Sequence, residues 1–186
     1  KENLYDGFAS IGDYNLTMNN INSSKNGWGA TLGGSSNVKI KDSIFSESWV
    51  KGYNGIGIEI FGIASSNITI VKNSILFNDY SGIEIYGNTS DINISENYIQ
   101  GNPIGIYIYD SVKNVTLFNN SIYFNSIGIN ISGNVLDSVA NNNSICFNTI
   151  DYTCKNPQLG FITNRCNSVF VCGGTCTSCS PIPAGC

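Results

Sequence analysis

Two glutamates occupy equivalent places in a repeated tetrapeptide. Glu59 and Glu84 each stand third in a Gly-Ile-Glu-Ile sequence. If these copies lie in adjacent layers of one fold, the two carboxylates are about 5 Å apart, which is the separation used by retaining glycosidases. The same position continues along the chain as Tyr107 and Asn130, so the column does not form a carboxylate groove. We therefore expect Glu59 and Glu84 to be solvated surface residues and the chain not to be an enzyme.

The composition excludes several other chemistries. The 186-residue chain has no histidine, which rules out Ser-His-Asp triads, Cys-His dyads and histidine-ligated zinc sites. Arg165 is the only arginine and the formal net charge is -4, so no basic face for nucleic acid can form. No apolar run reaches the length of about 18 residues that a membrane span needs. We expect no cofactor, no metal, no nucleic-acid partner and no membrane span.

Seven cysteines indicate an oxidising compartment. Cys176 and Cys179 have the spacing of zinc ligands, but Cys166 and Cys172 lie too far apart in sequence to form a matching second pair. Disulfides are therefore favoured over a metal site. Since the number is odd, one thiol is free, modified or bonded to another chain. The expected disulfide cysteines are Cys146, Cys154, Cys166, Cys172, Cys176, Cys179 and Cys186.

Nine Asn-x-Ser/Thr sequons support the same compartment. Because the chain is rich in Asn and Ser, some sequons arise by chance, and their placement on the fold is more informative than their number. We predict glycans on those that face solvent. The candidate glycosylation sites are Asn15, Asn22, Asn67, Asn88, Asn93, Asn114, Asn119, Asn130 and Asn142.

Tyrosines offer a different function. Outward-pointing rings can stack on sugars, which would make the chain a carbohydrate-binding adhesin. The competing interpretation is that the rings only cover the lateral surface of strands. The candidates are Tyr86, Tyr107, Tyr109 and Tyr123.

Three short segments recur along the chain, and the fold that they form determines where the candidate residues named above lie. One reads Asn-Ile-Thr-Ile at 67–70, the next Asn-Ser-Ile at 73–75 and the third Gly-Ile-Glu-Ile at 82–85. Later copies follow at a nearly constant interval of about 23 residues. Each segment alternates apolar and polar residues, as a strand with one buried side does. Three strands per unit predict a parallel β-solenoid whose coils stack at about 4.8 Å. Earlier copies are longer, which indicates loop insertions around 49–54.

The repeat predicts which side chains face the interior and which stack above one another, in columns, from coil to coil. Two asparagine columns, one at Asn73, Asn97, Asn120 and Asn143 and another at Asn78, Asn102, Asn125 and Asn148, are expected to hydrogen-bond from coil to coil. The sequons Asn15, Asn67 and Asn114 share an outward column. The predicted inward residues are Ile68, Ile70, Ile75, Phe77, Ile83 and Ile85, followed one coil later by Ile92, Ile94, Ile99, Ile106 and Ile108.

The Asn-x-Ile and Gly-Ile-x-Ile pattern resembles the right-handed parallel β-helix repeat of the pectate-lyase-like superfamily, and it is most similar to NosD-type and surface-protein repeats of archaea and bacteria. The resemblance covers residues 13–150. It implies an all-β, right-handed parallel β-helix of about six coils, here followed by a disulfide-rich C-terminal cap at 151–186. Members include polysaccharide lyases and hydrolases, tailspikes, adhesins and surface-layer proteins, so the fold alone does not select a function.

Residues 1–12 precede the repeat and are predicted to form an extended strand that adds to a neighbouring subunit. Head-to-tail contacts of this kind make filaments. A self-cap, in which the segment folds over the chain's own first coil, is the alternative. We predict a secreted structural subunit of an extracellular filament or cell-surface assembly, with copies of itself and surface glycans as partners. An adhesin, or less favourably a polysaccharide-degrading enzyme, is the alternative. The predicted contact residues are Leu4, Tyr5, Phe8 and Ile11.

Charged residues make up only 12% of the chain. A surface that depends little on carboxylates suits an acidic medium, because carboxylates become protonated there. An extracellular archaeal protein from an acidic or mild habitat is compatible with this composition.

Overall fold

The computed structural model describes residues 6–49, 55–155, 159–167, 169–170 and 176–179. Every regular element in these ranges is a short β-strand, which confirms the all-β expectation. No helix able to cross a membrane occurs among them. The strands form three parallel sheets that run along the axis of a solenoid, and one coil passes through the second, third and first sheet in turn.

Within the described ranges, each sheet contains eight strands, one from almost every coil. The first sheet consists of β1 (Ala9–Ile11), β4 (Trp28–Gly33), β7 (Ile56–Phe61), β10 (Ser81–Ile85), β13 (Ile104–Ile108), β16 (Ile127–Ile131), β20 (Ile150–Cys154) and β23 (Val169–Phe170). The second consists of β2 (Thr17–Asn19), β5 (Ser36–Lys41), β8 (Ser66–Val71), β11 (Thr89–Ser95), β14 (Ser111–Phe118), β17 (Asn134–Leu136), β18 (Ser138–Asn141) and β21 (Leu159–Ile162). The third consists of β3 (Asn22–Ser24), β6 (Ile44–Ser46), β9 (Ser74–Leu76), β12 (Tyr98–Gln100), β15 (Ser121–Tyr123), β19 (Ser144–Cys146), β22 (Asn164–Cys166) and β24 (Cys176–Thr177).

The register reproduces the repeat expected from the sequence. Strand β8 pairs with β11, β11 with β14 and β14 with β18, each in parallel. In the same coils, the equivalent asparagines Asn73, Asn97, Asn120 and Asn143 follow one another at steps of 24, 23 and 23 residues. The preceding step, from Ser43 to Asn73, is 30 residues, which confirms the longer early coil. Six coils run from β2 to β20, as expected.

The solenoid extends beyond the expected boundaries at 13 and 150. Before them, β1 already pairs with β4 in the first sheet. After them, β21 to β24 continue all three sheets, so the described part of the cysteine-rich region forms a further coil on the same axis. The predicted boundaries were too narrow because they followed the isoleucine pattern, whereas the backbone pairing between strands continues where that pattern has stopped.

Several stacked columns of mostly branched apolar side chains, contributed by all three sheets, fill the interior. Ile70 and Ile94, for example, are fully buried and pack on equivalent residues one coil away. Burying each such side chain contributes about 1.5–3 kcal/mol. Ten of the eleven predicted inward residues are buried. Phe77 is the exception: it is 56% exposed, because the strand ends at Leu76 and a left-handed turn with φ 54° directs the next side chain outward.

Both asparagine columns are buried hydrogen-bond ladders. In the first, the backbone N–H and the Nδ2 of Asn97 both donate to Oδ1 of Asn120, each at 3.0 Å, and the pattern continues to Asn164. In the second, Asn148 donates in the same way to a carboxylate oxygen of the fully buried Asp151. The bonds between asparagines run in one direction, from each coil to the next, while each Nδ2 also donates back to a backbone oxygen of the preceding coil, as that of Asn97 does to Ile70 O. The last bond, from Asn148 to Asp151, lies within one coil. A carboxylate has no hydrogen to pass on, so Asp151 ends its ladder.

The glycine of each Gly-Ile-x-Ile segment permits a close approach between coils. A Cβ on Gly105 would lie 2.5 Å from the backbone oxygen of Gly128 and 2.9 Å from the Ile122 side chain. Gly82 and Gly128 are equally restricted by the coil that follows them. Any side chain at these positions would push the coils apart, which explains why glycine recurs there.

Candidate functional site

The outer face of the first sheet carries the two glutamates. Strands β7 and β10 pair in register, with Glu59 directly opposite Glu84. Because Ile58 and Ile83 face the core, the alternation of the strands points both carboxylates outward. The expected stacking is therefore present, and the column continues as Tyr107 and Asn130.

Tyrosines from the neighbouring coil cover these carboxylates. The Tyr86 hydroxyl donates to Oε1 of Glu59 at 2.9 Å, and the Tyr109 hydroxyl donates to Oε1 of Glu84 at 2.8 Å. The Ser81 hydroxyl donates to the second oxygen of Glu84 at 3.0 Å. As a result Glu84 is only 5% exposed. The expectation that this column is solvated is wrong for Glu84, because the covering rings come from residues far away in sequence.

The covering rings stack on one another along the axis. The Tyr86 and Tyr109 rings are 4.8 Å apart and nearly parallel, Phe61 stacks on Tyr86 at 5.7 Å, and Tyr107 lies 4.7 Å from Tyr109. Rings stacked face to face turn their edges to solvent. A sugar stacks on a free ring face, so this arrangement leaves little surface for carbohydrate binding.

Burial sets the electrostatics of the site. It raises the pKa of both glutamates, and the charges of Glu84 and Asp6 raise the pKa of Glu59 further; the tyrosine hydrogen bonds act in the opposite direction but more weakly. Burial and the bonds to the glutamates also raise the pKa of Tyr86 and Tyr109. Both glutamates thus favour the protonated form more than exposed glutamates do. A glycosidase nucleophile would instead have to be ionised and reachable by substrate.

We expect the contribution of these two glutamates to the stability of the protein to fall as the pH rises above about 4. The raised pKa values mean that the folded state still binds protons where the unfolded chain has released them. This contribution is complete below the ordinary glutamate pKa of about 4.3 and is lost as the pH passes the folded-state values. Glu84→Gln keeps a hydrogen-bond acceptor for Tyr109 but cannot ionise. As the pH rises, the melting temperature of this variant should therefore fall less than that of the parent chain.

The matched control is Glu96→Gln, which alters an exposed glutamate that pairs with Lys72 at 3.7 Å. Its melting temperature, measured by circular dichroism across the same buffers, should follow that of the parent chain. A Glu84→Gln profile parallel to the parent profile would show that this carboxyl does not cause the pH dependence.

The cysteines that the structure describes lie at the C-terminal end of the solenoid. Disulfides join Cys146 to Cys179 and Cys166 to Cys176, with Cα separations of 6.1 and 5.5 Å. Cys154 is also disulfide-bonded. Cys172 and Cys186 lie outside the described residues. Within the described ranges, no group of three potential metal ligands comes close enough to hold an ion.

The sequon asparagines lie on several outer surfaces. Eight are exposed and Asn130 is half-buried. Asn15, Asn67 and Asn114 share an outward corner, as expected, and each adopts a left-handed conformation with φ of 51–60°. Glycosylation at these sites stays a prediction.

The predicted subunit-contact residues divide between two environments. Phe8 packs partly buried against the chain's own core, as the self-cap alternative expects, whereas Ile11 is 65% exposed. Leu4 and Tyr5 lie outside the described residues.

Sequence reasoning missed two features of the outer surface. It did not connect Tyr86 and Tyr109 with the glutamates beneath them, although both tyrosines follow a Gly-Ile-x-Ile segment at the same distance. It also missed a row of phenylalanines at one corner, Phe77, Phe124 and Phe147, each with φ of 54–59°. Their recurrence at one position of the repeat was the available signal.

Comparison with known proteins addresses the fold. A family model described as a right-handed β-helix region matches residues 1–150. No curated protein matches the chain. The match covers most of the 186 residues and agrees with the parallel three-sheet solenoid, although it identifies no particular branch such as the NosD-type repeats. The chain therefore belongs to the right-handed β-helix family.

Proposed function

We propose that this chain is a non-catalytic structural subunit of an extracellular filament or cell-surface assembly. The observation that carries the proposal is the use of the polar side chains. Asparagines that could bind ligands are committed to ladders between coils, and Glu59 and Glu84 are bonded to tyrosine hydroxyls. The hydrogen bonds of these side chains hold the coils of the chain together, which suits a structural role.

The disulfides at the C-terminal end support an extracellular location. Disulfides persist in oxidising environments such as the cell exterior. Exposed sequons agree with the same location. Together these features support a secreted protein.

The two ends of the solenoid differ, which gives an assembly its direction. At the C-terminal end, Cys166 occupies the core column next to Ile145 and is bonded to Cys176. At the N-terminal end, β1, β2 and β3 each pair with a strand on one side only within the described residues. Exposed Ile11 and Tyr14 lie beside this free edge. An unpaired parallel edge is a template for another chain, so we place the end-to-end contact here.

Blocking the free edge tests this proposal. Lys39 N–H donates to Leu16 O and Asn20 N–H donates to Lys41 O, so by the alternation of a parallel strand the amide of Thr17 faces away from the second coil. Thr17→Pro removes that amide and should abolish end-to-end polymers seen by negative-stain microscopy. Thr17→Val keeps the amide and should leave them intact.

The two substitutions are matched in a second respect, because each removes the sequon of Asn15. A difference between them therefore reports the backbone amide and not a glycan. Parent protein that stays monomeric at every concentration tested would refute a filament role.

The carbohydrate-binding and enzymatic alternatives have less support. The stacked rings of Tyr86 and Tyr109 offer edges rather than faces, and Glu84 is nearly inaccessible. We therefore assign neither role to the first sheet.

A further inference from the structure

A second aromatic surface lies on the third sheet, away from the glutamates. Its outer positions include Tyr98 and Tyr123, which are half-buried. The corner that follows this sheet carries Phe77, Phe124 and Phe147 in the third, fifth and sixth coils. The Phe124 and Phe147 rings stack at 5.8 Å, and Tyr123 lies 6.3 Å from Phe147. We call these five residues the aromatic face.

Phenylalanine at this corner is energetically unfavourable in a chain that has no partner. All three phenylalanines have positive φ, which is rare for bulky residues. Phe77 is 56% and Phe124 is 41% exposed. The equivalent corner holds Lys25, Glu47 and Gly101 in other coils, so the turn itself does not need an aromatic residue. Side chains kept in strained and exposed positions point to a role outside the folding of the chain.

The five residues of the aromatic face carry no charge, and charged side chains lie only at its two ends: Glu47 and Asp79 beside Phe77, and Arg165 on β22 beyond Ser144. The outer positions of β9, β12 and β15 are Ser74, Leu76, Tyr98, Gln100, Ser121 and Tyr123, none of which ionises near neutral pH. By contrast, the first sheet carries Glu59 and Glu84, and the second carries Lys39 and Lys113.

Sequons avoid this part of the surface. In the third to sixth coils they occur on the outer sides of the first and second sheets and at the two other corners, at Asn67, Asn88, Asn93, Asn114, Asn119, Asn130 and Asn142. Asn22 is on the third sheet, but in its N-terminal edge strand. A surface that is aromatic, uncharged and without sequons suits contact with protein rather than with water.

We propose that the aromatic face is a lateral contact between two copies of this chain. A two-fold contact brings the residues near its axis close to their own copies, so any charge there would meet a like charge. The aromatic face has none, which makes it compatible with itself. This contact is separate from the end-to-end contact at β1 to β3 and joins solenoids side by side.

The size of the aromatic face indicates how strong the contact is. Four coils at about 4.8 Å, and a width of one short strand plus its corner, give roughly 300–400 Å². Each partner in a standard interface contributes about 800 Å². A single pair of solenoids should therefore associate weakly. Two filaments would repeat the contact at every subunit and hold together through avidity.

The test uses Thr17→Pro as the parent, so that only lateral association is measured. Sedimentation equilibrium should show a weak monomer–dimer equilibrium. Adding Phe124→Asp and Phe147→Asp should raise the dissociation constant more than about tenfold, because like charges then meet across the two-fold axis. Both changes should fold, since aspartate already adopts positive φ at Asp42, Asp91 and Asp137. Circular dichroism melting checks the fold.

Phe118→Asp is the matched control, because Phe118 is 43% exposed but belongs to the second sheet. It should dimerise like its parent. Equal weakening by Phe118→Asp would indicate general surface stickiness and overturn the proposal, as would a parent that stays monomeric at millimolar concentration. Retention on immobilised polysaccharide that depends on Phe124, without dimerisation, would assign the face to glycans instead. Failure of the end-to-end proposal would appear separately, as a chain with threonine at position 17 that forms no filaments.

Discussion

Replacing Asn120 by alanine is expected to lower the free energy of unfolding by about 3–6 kcal/mol. Asn120 is 1% exposed and stands in the middle of the first ladder. Its Oδ1 accepts two hydrogen bonds from Asn97, and its Nδ2 donates to Ile94 O at 2.8 Å and to Asn143 Oδ1 at 2.9 Å. Alanine would leave both Asn97 donors and the Ile94 acceptor buried without these partners.

The size of this effect follows from the cost of unpaired buried groups. Each costs about 1–3 kcal/mol, and a domain has only about 5–15 kcal/mol of stability in total. For a chain of this length, each kcal/mol lowers the melting temperature by about 2–4 °C. The melting temperature should therefore fall by about 6–24 °C in calorimetry.

Asn119→Gly is the control for this substitution. Asn119 precedes Asn120 in sequence, is exposed, and has φ 55°, which glycine adopts without strain. Its removal breaks only the 3.3 Å bond from Asn142, so its stability should change little. If Asn120→Ala melts as Asn119→Gly does, the ladder is not the stabilising element that its geometry indicates.

Removing the disulfide between Cys146 and Cys179 should destabilise the C-terminal end most. The bond links positions 33 residues apart, and closing a loop of that length in the unfolded chain is worth about 3–4 kcal/mol. Cys146 is 2% exposed on β19, so the bond also ties the distant Cys179 segment to the outer side of the third sheet. The paired change Cys146→Ala with Cys179→Ala tests this contribution.

Hydrogen exchange can locate the loss, since each coil of a solenoid contacts only its neighbours. Amides of β19 and β22 should exchange faster in the paired variant, whereas those of β10 to β13 should stay protected. Single Cys179→Ala, which leaves a free thiol at Cys146, should show the same pattern. Uniform loss of protection along the axis would mean that the bond supports the whole solenoid, contrary to this expectation.

The sequence predicts the interior of this fold well because two periodic signals agree. Isoleucine at alternating positions specifies the buried side of each strand, and asparagine in register specifies the turns between strands. Both depend on backbone geometry that every coil repeats. For this reason the positions of Ile83 and Asn97 follow from counting alone.

Phe77 shows where counting fails. Alternation from Ile75 assigns it to the core, but the strand ends one residue earlier. The equivalent residue of the next coil is Gly101, and a column that accepts glycine, lysine, glutamate and phenylalanine is not a core column. Comparison down the column, rather than along the strand, would have placed Phe77 correctly.

Glu84 could not be placed from the repeat for a different reason. The period fixes which side of the sheet a residue occupies but not what covers it. The hydroxyl that bonds Glu84 belongs to Tyr109, 25 residues later, whose ring extends over the preceding coil and stacks on Tyr86. Such diagonal contacts depend on side-chain rotamers, which no periodic pattern encodes.

The one-way ladder ending at Asp151 has a consequence for how such a molecule changes its length. Each interior asparagine accepts from the preceding coil and donates to both neighbouring coils, and every unit repeats this pattern, so a further 23-residue unit inserted between two others leaves no group unmatched. Only the terminal carboxylate cannot be repeated, because it accepts from Asn148 and from the Asn167 N–H and has no hydrogen to donate to a further asparagine. Duplication or loss of whole units in the middle is therefore tolerated, whereas the unit holding Asp151 and the cysteines has a fixed place. The solenoid can therefore become longer or shorter by whole coils while its C-terminal end stays the same.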